Sequence, residues 1–389
     1  MLVIKGAKIY PVTKPVIENG MIIIGDDGKI GEIGKELSIP ENIEVLDLTG
    51  KVIIPGLIDA HSHVGIWGDG EGKPGYDGNE SMKPVAGAVR AFDATNPMQN
   101  SFEGAREGGV TTVQILPGSA NPIGGLAFAC KTYGTIIDDM VVKNPTGLKG
   151  ATGENPKRVH GQYNKQSPVT RMAVASIIRN YFKDAKEYGA SKEKAKAEGK
   201  PFKMDMNLEP GIMVLNREIP FRVHAHRQDD IVTVIRICEE LNIDFSIEHC
   251  TEGHLIAEFL GKKKITAMVE PGILPSTKVE TANSSEENAA ILARNGVKVC
   301  FVTDHPFLNC RYLLPFAAVA YKNGLPFDDT LKALTIHPAE ALGIENRVGS
   351  LEIGKDADFV ILGGEPFTLK GAVEETYIEG RRVWKREVL

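Results

Sequence analysis

Between residues 52 and 305 the chain alternates apolar, strand-like runs with helical patterns. This is the sequence form of repeated βα units around a parallel sheet. Eight candidate strands can be marked: VIIPGLIDAHSH, VTTVQILPG, LAFACKTYG, TGLKGATGE, PFRVHAH, IDFSIEHC, KITAMVEPG and VKVCFVTDH. Eight is the number that closes a (β/α)8 barrel of about 250 residues. Between the fifth and sixth runs, Asp229–Leu241 carries Ile231, Val234, Ile235, Ile237 and Cys238 on one face, as an amphipathic helix does. Before the last run, Ser284-Ser285-Glu286-Glu287 offers a capping box to a helix over AAILAR. Residues 183–203, rich in Lys, Glu and Ala, read as a solvated helix.

The two ends of the chain follow a different rule. Residues 1–54 are short apolar runs separated by tight turns, with Asp27-Gly28 marking a hairpin, and GSLEIGKDADFVIL and YIEGRRVW near the C-terminus turn at Glu379-Gly380. The expected architecture is therefore an α/β chain: a distorted (β/α)8 TIM barrel over 55–345, inserted into a small β-sandwich made from both termini, 1–54 and 346–389.

Composition removes several classes of function. A formal charge of -6 gives no basic surface to neutralise phosphates, so nucleic acid is not expected as a partner. No run approaches the roughly 18 apolar residues of a membrane span, and MLVIKGAKIYPV lacks the parts of a secretory signal. The five cysteines are scattered without C-x-x-C spacing, which points to buried thiols and a cytoplasmic location. Cys250, beside His249, is the one thiol placed to act as a soft ligand.

His61 and His63, two residues apart on one strand, project from the same face and can chelate a divalent metal such as Zn2+. A lone H-x-H is weak evidence. It gains weight because His224, His249 and Asp304 stand at the ends of FRVHAH, FSIEHC and FVTDH, and strand ends converge at a barrel mouth. Two Gly- and Pro-rich or otherwise long loops, 65–87 and 153–168, follow the first and fourth runs and are candidates for substrate contact.

With these residues placed, the chain resembles the amidohydrolase superfamily nearly end to end. KVIIPGLIDAHSHVG resembles its opening signature, GSLEIGKDADFVIL its closing one, and HPAEALGIENRVG its last barrel helix. The resemblance implies one or two divalent metals. His61 and His63 would bind the more buried ion, and His224 and His249 the second ion or the substrate. Asp304 would bind metal and serve as general base to a metal-activated water, then pass the proton to the leaving nitrogen. Lys149, as a carboxylated lysine, and Glu154 compete for the bridging position.

PGSANPIGG, LKGATGENPKRVHG and FRVHAHRQDD are most similar to an imidazolonepropionase-like group of metal-dependent hydrolases. Imidazolonepropionase and the deaminases carry a glutamate three residues after the fifth-strand histidine, where this chain has Arg227. That difference favours hydrolysis of an amide, cyclic amide or dipeptide-like C–N bond. A mononuclear imidazolonepropionase-like ring hydrolase or deaminase is the alternative, and a non-catalytic scaffold on the same fold is the third. His226, Arg227, His160 and Tyr163 are the candidate substrate contacts, with Asn79 and Glu80 in the first long loop. The expected partner is a small-molecule substrate, and a homo-oligomer is compatible with the sequence.

Overall fold

The computed structural model describes residues 1–39, 43–68, 70, 72–273, 276 and 278–387. Among these residues the strands form two separate sheets. The first is built from β1 (Leu2–Ile9), β2 (Ile17–Ile24), β3 (Ile30–Gly34), β4 (Glu44–Asp47) and β5 (Val52–Pro55). The barrel follows, with β6 (Leu57–Ser62), β7 (Val110–Ile115), β8 (Gly125–Lys131), β9 (Val141–Ala151), β10 (Phe221–Ala225), β11 (Phe245–His249), β12 (Thr266–Val269) and β13 (Lys298–Phe301). The chain then returns to the first sheet as β14 (Phe359–Leu362), β15 (Val373–Ile378) and β16 (Arg381–Lys385).

The terminal strands run in the order β16-β15-β14-β5-β1-β2-β3, with β4 also pairing β1, so N- and C-terminal segments share one β-sandwich. Its core is Ile4, Ile9, Ile22, Ile24, Ile53, Phe359 and Ile361. Both expected hairpins form. The Glu379-Gly380 turn has φ of 49° and 74°, the left-handed pair that a two-residue hairpin requires.

The barrel differs from the sequence expectation in three places, the simplest being that β9 begins at Val141, five residues before the run TGLKGATGE. VIIPGLIDAHSH is two strands: β5 pairs β1 and β14 in the terminal sheet, whereas β6 pairs β7 in the barrel, with Gly56 at the break. The third barrel strand, β8, is antiparallel to both β7 and β9. The link 116–124 explains this, since a parallel crossover needs about a dozen residues or more and only a hairpin return fits. β9 to β13 are parallel neighbours. At the seam between β13 and β6, the Asp304 N–H donates to His61 O and the His63 N–H to His305 O, both at 3.0 Å. The barrel therefore closes through the residues singled out as metal ligands.

Helices cover the barrel as expected, with two local differences. The helix Gln228–Leu241 buries Ile231, Val234, Ile235, Ile237 and Cys238. The charged segment belongs to a longer helix, Arg171–Ala197, whose buried residues all lie before residue 186. The capping box does not form: the helix Asn288–Arg294 starts after Glu287, whose φ of -84° and ψ of -9° are helical rather than extended. An N-cap side chain reaches back only from an extended backbone. Here the preceding segment is a turn at the barrel mouth, and Ser285 Oγ instead accepts the Glu287 N–H. Among the described residues no helix is long and apolar enough to cross a membrane. All five cysteines are buried thiols outside any disulfide.

Candidate metal centre and cavity

Two groups of ligand atoms meet at the barrel mouth. His61, His63 and Asp304 form one, and His224, His226 and His249 the other; within each, the donor atoms lie within 4.8 Å of one another. A further set, His249, Glu270 and Asp304, spans the two. His61 Nε2 and His63 Nε2 both face Asp304 Oδ1, at 3.3 and 3.1 Å. The rings of His61 and His249 are 4.7 Å apart between centroids, which makes the two groups direct neighbours.

Partners behind the imidazoles hold them in one tautomer, as such partners do at metal sites. His63 Nδ1 donates to Leu116 O at 2.7 Å, and His61 Nδ1 faces Glu248 Oε2 at 2.5 Å, which leaves both Nε2 atoms free to coordinate. His249 Nδ1 is hydrogen-bonded to Glu270 Oε1. His224 Nδ1 is buried with no hydrogen-bond partner among the described residues. His226 has both nitrogens engaged: Nδ1 with Thr251 Oγ1 at 2.7 Å and Nε2 with Lys278 Nζ at 2.9 Å. It is thus better placed as a wall of the cavity than as a ligand.

Strand ends alone would not deliver these groups. His249 (φ 73°), Cys250 (46°) and Asp304 (50°) all adopt left-handed backbone, which costs non-glycine residues on the order of 1–3 kcal/mol each. The twist at His249 lets consecutive residues, Glu248 and His249, both reach the site. Cys250 does not: its Sγ packs beside Gly253, and burial pushes the thiol up to about 12.

Burial, reinforced by neighbouring histidines and lysines and only partly opposed by Asp304 at His226 and His249, holds His224, His226 and His249 well below the ordinary imidazole value, so they are neutral and able to coordinate. Burial lowers His63 as well. Burial and Lys149 push His61 down, but its bonds to Asp304 and Glu248 outweigh them and raise it. Burial would raise Asp304, yet His249, His61 and His63 hold it well below the usual carboxylate range.

The donor set suits a divalent cation. Imidazole nitrogens and a carboxylate converge, a buried ring nitrogen lacks a partner, and among the described residues the one cationic side chain in contact with the first group is Lys149. Of the two candidates for a bridging ligand, only Lys149 is at the site. It is fully buried, its Nζ is 3.3 Å from His61 Nε2, and burial lowers its pKa to about 8. Glu154 begins the short helix Glu154–Lys157 and does not line the cavity; its backbone N–H donates to Glu280 Oε2 at 2.9 Å.

Above the ligands lies a cavity of about 320 Å³, whose lining includes His63, Trp67, Asn155, His226, Lys278 and Phe307. His226 is the one candidate substrate contact of the four that faces it. Arg227 turns outward to a paired salt bridge with Asp229, because it sits where the strand has ended and the next helix begins. His160 is buried against Asn121 Oδ1 at 2.8 Å, and Tyr163 is 65% exposed. Both lie in the 153–168 loop, which packs on the 65–87 loop through Asn164 to Ser81 O and Gln166 to Met82 O. Asn79 lines the cavity, whereas Glu80 binds the Met82 N–H. The sequence reading missed Glu248, Glu270 and Lys278. Glu248 and Glu270 each sit beside a recognisable ligand position or strand end, but Lys278 lies in a loop with no local signal.

Comparison with known proteins identifies the family and the fold. The model of the amidohydrolase family matches residues 52–383. The amidohydrolase tasK of Hapsidospora irregularis is 26% identical over 94% of this chain, which spans only 39% of that relative's length. An imidazolonepropionase of Thermoplasma volcanium is 26% identical over 90% of this chain and 86% of its own. The crystal structure of an amidohydrolase from Thermotoga maritima superposes with a TM-score of 0.95 at 43% identity, covering 99% of this chain and all of that one. With the barrel, the terminal β-sandwich and the family match over most of its length, the chain belongs to the amidohydrolase family.

Proposed function

We propose that the protein hydrolyses an amide, cyclic amide or dipeptide-like C–N bond, with Asp304 as general base. The observation that carries this reading is the convergence of His61, His63 and Asp304 with the second histidine group, of which His63, His224, His226 and Asp304 line one cavity. His61, His63, His224 and His249, with Lys149 as carboxylated bridge, would hold the ions, and nitrogen-rich ligands of this kind suit Zn2+. A divalent ion held there would lower the pKa of water toward about 7 and polarise the carbonyl under attack. Asp304, kept ionised by its histidine neighbours, takes a proton from the attacking water and hands it to the leaving nitrogen. Trp67 and Phe307, with ring centroids 5.9 Å apart, wall one side of the cavity. The buried thiols fit a cytoplasmic enzyme.

A second reading, ring opening of the imidazolonepropionase type at a single ion, is favoured by relatives of that name such as the Thermoplasma volcanium protein. Metal counting separates the two, since two ions per chain that fall to one in Lys149→Met exclude the mononuclear version. The test of the proposal itself is a screen of N-acyl amino acids, dipeptides and cyclic amides with the metal-loaded enzyme. Asp304→Asn is expected to abolish turnover while metal content stays largely intact, and undiminished activity in that variant would refute the assignment.

A further inference from the structure

We propose that the cavity selects substrates bearing a carboxylate a few bonds from the scissile C–N bond, and that Lys278 and Arg158 bind it. The inference rests on the hydrolytic reading above and adds the substrate class.

Two cations, Lys278 and Arg158, and two carboxylates, Glu270 and Asp304, line the cavity, and histidines take up both carboxylates. Arg171 pairs with Asp230 at 2.9 Å, and Lys278 stands 3.3 Å from Glu280 Oε1. Glu280 is itself shared, since its Oε2 accepts the Glu154 N–H at 2.9 Å and lies 3.8 Å from Arg171. Arg158 has no carboxylate partner among the described residues; its Nη2 donates to Asn155 Oδ1 at 3.1 Å, and the residue lines the cavity. The Arg158 guanidinium, with five N–H donors, thus has donors left to offer an anion. Lys278 also has an unused proton. An ammonium carries three, and of these one goes to His226 Nε2 and one toward Glu280.

Position sets the distance of the anion from the reacting bond. Lys278 touches His226, whose ring stacks on His249 at 4.7 Å, so the ammonium is one imidazole away from a candidate ligand. A carboxylate bound there lies close to the bond held over the ligands, as the α-carboxylate of an N-acyl amino acid or dipeptide does. On the Trp67 and Phe307 side the wall is aromatic and uncharged, which suits the other, apolar part of the molecule.

The test measures binding to metal-loaded Asp304→Asn protein by calorimetry, so that turnover does not intervene. The probes are N-acetyl-L-alanine, N-acetyl-L-proline and glycyl-L-proline, each against its C-terminal carboxamide. The acids are expected to bind about tenfold or more tighter than the amides, the range of a hydrogen bond to a charged group. Added Arg158→Met or Lys278→Met should shrink that preference to within about twofold, and Arg158→Lys should retain much of it; circular dichroism checks folding. Equal binding of acids and amides, a preference untouched in both methionine variants, or no binding by any acid would overturn the proposal. Wild-type turnover distinguishes the two readings. Acids that bind but are never cleaved refute hydrolysis and leave the anion site standing, whereas amides cleaved as well as acids refute the anion site alone.

Discussion

Removing one buried charge should weaken both the fold and the metal centre. Glu248 is fully buried, and one of its carboxylate oxygens meets His61 Nδ1 while the other accepts from Ser246 Oγ. Ser246 in turn lies 3.4 Å from a guanidinium nitrogen of Arg222, which is fully buried with backbone carbonyls as its other partners. Gly147 makes room for that guanidinium, since a Cβ there would lie 2.6 Å from Arg222 Nε. Burial would raise the Glu248 pKa, but the His61 hydrogen bond, His61 charge, Arg222 and Lys149 together bring it from 4.5 to about 2. That difference corresponds to roughly 3 kcal/mol of folding stability, similar to the cost of breaking a buried pair. Because the folded-state value is the lower one, this stability is present above about pH 4.5 and is lost as pH falls through about 2. Glu248→Gln keeps the shape and removes the charge. Urea unfolding of the metal-free protein should show a loss of about 3 kcal/mol at pH 7, narrowing toward pH 3. Chelator competition should show metal affinity reduced about 10- to 100-fold. A variant as stable as wild type at pH 7, or a gap of constant size across this pH range, would show that Glu248 is not the counter-charge of this interior.

Two further substitutions probe the site boundary and the terminal sheet. Arg227→Ala should leave kcat/KM within about twofold, because the guanidinium pairs with Asp229 outside the cavity; a large rise in KM would return Arg227 to the substrate. Gly380→Val should lower stability by more than about 1 kcal/mol, since the residue has φ of 74° and a Cβ would come 2.7 Å from Ile24 Cγ2. An unchanged thermal midpoint would contradict this.

Local periodicity made much of the architecture legible. Apolar runs located seven of the eight barrel strands, although β9 begins five residues before its run, and the turns at Gly28 and Gly380 identified the hairpins, because these signals depend on neighbours in sequence. The antiparallel β8 was also within reach, as residues 116–124 are too few for a crossover. Ligand-type residues at strand ends were visible for the same local reason: His61, His63, His224, His249 and Asp304 all reach the barrel mouth.

Tertiary structure decided which groups meet. Strict alternation along FSIEHC would turn Glu248 away from His249, but the left-handed backbone at His249 brings both inward. Only the closed barrel distinguishes Lys149, buried beside His61, from Glu154 five residues later. Only loop packing leaves Tyr163 exposed while bringing Lys278 to His226. The sequence by itself determined the strands, the turns and the chemistry carried at each strand end, because these follow from short-range pattern. The composition of the site waited on the fold, because charge compensation and coordination depend on distances between residues hundreds of positions apart.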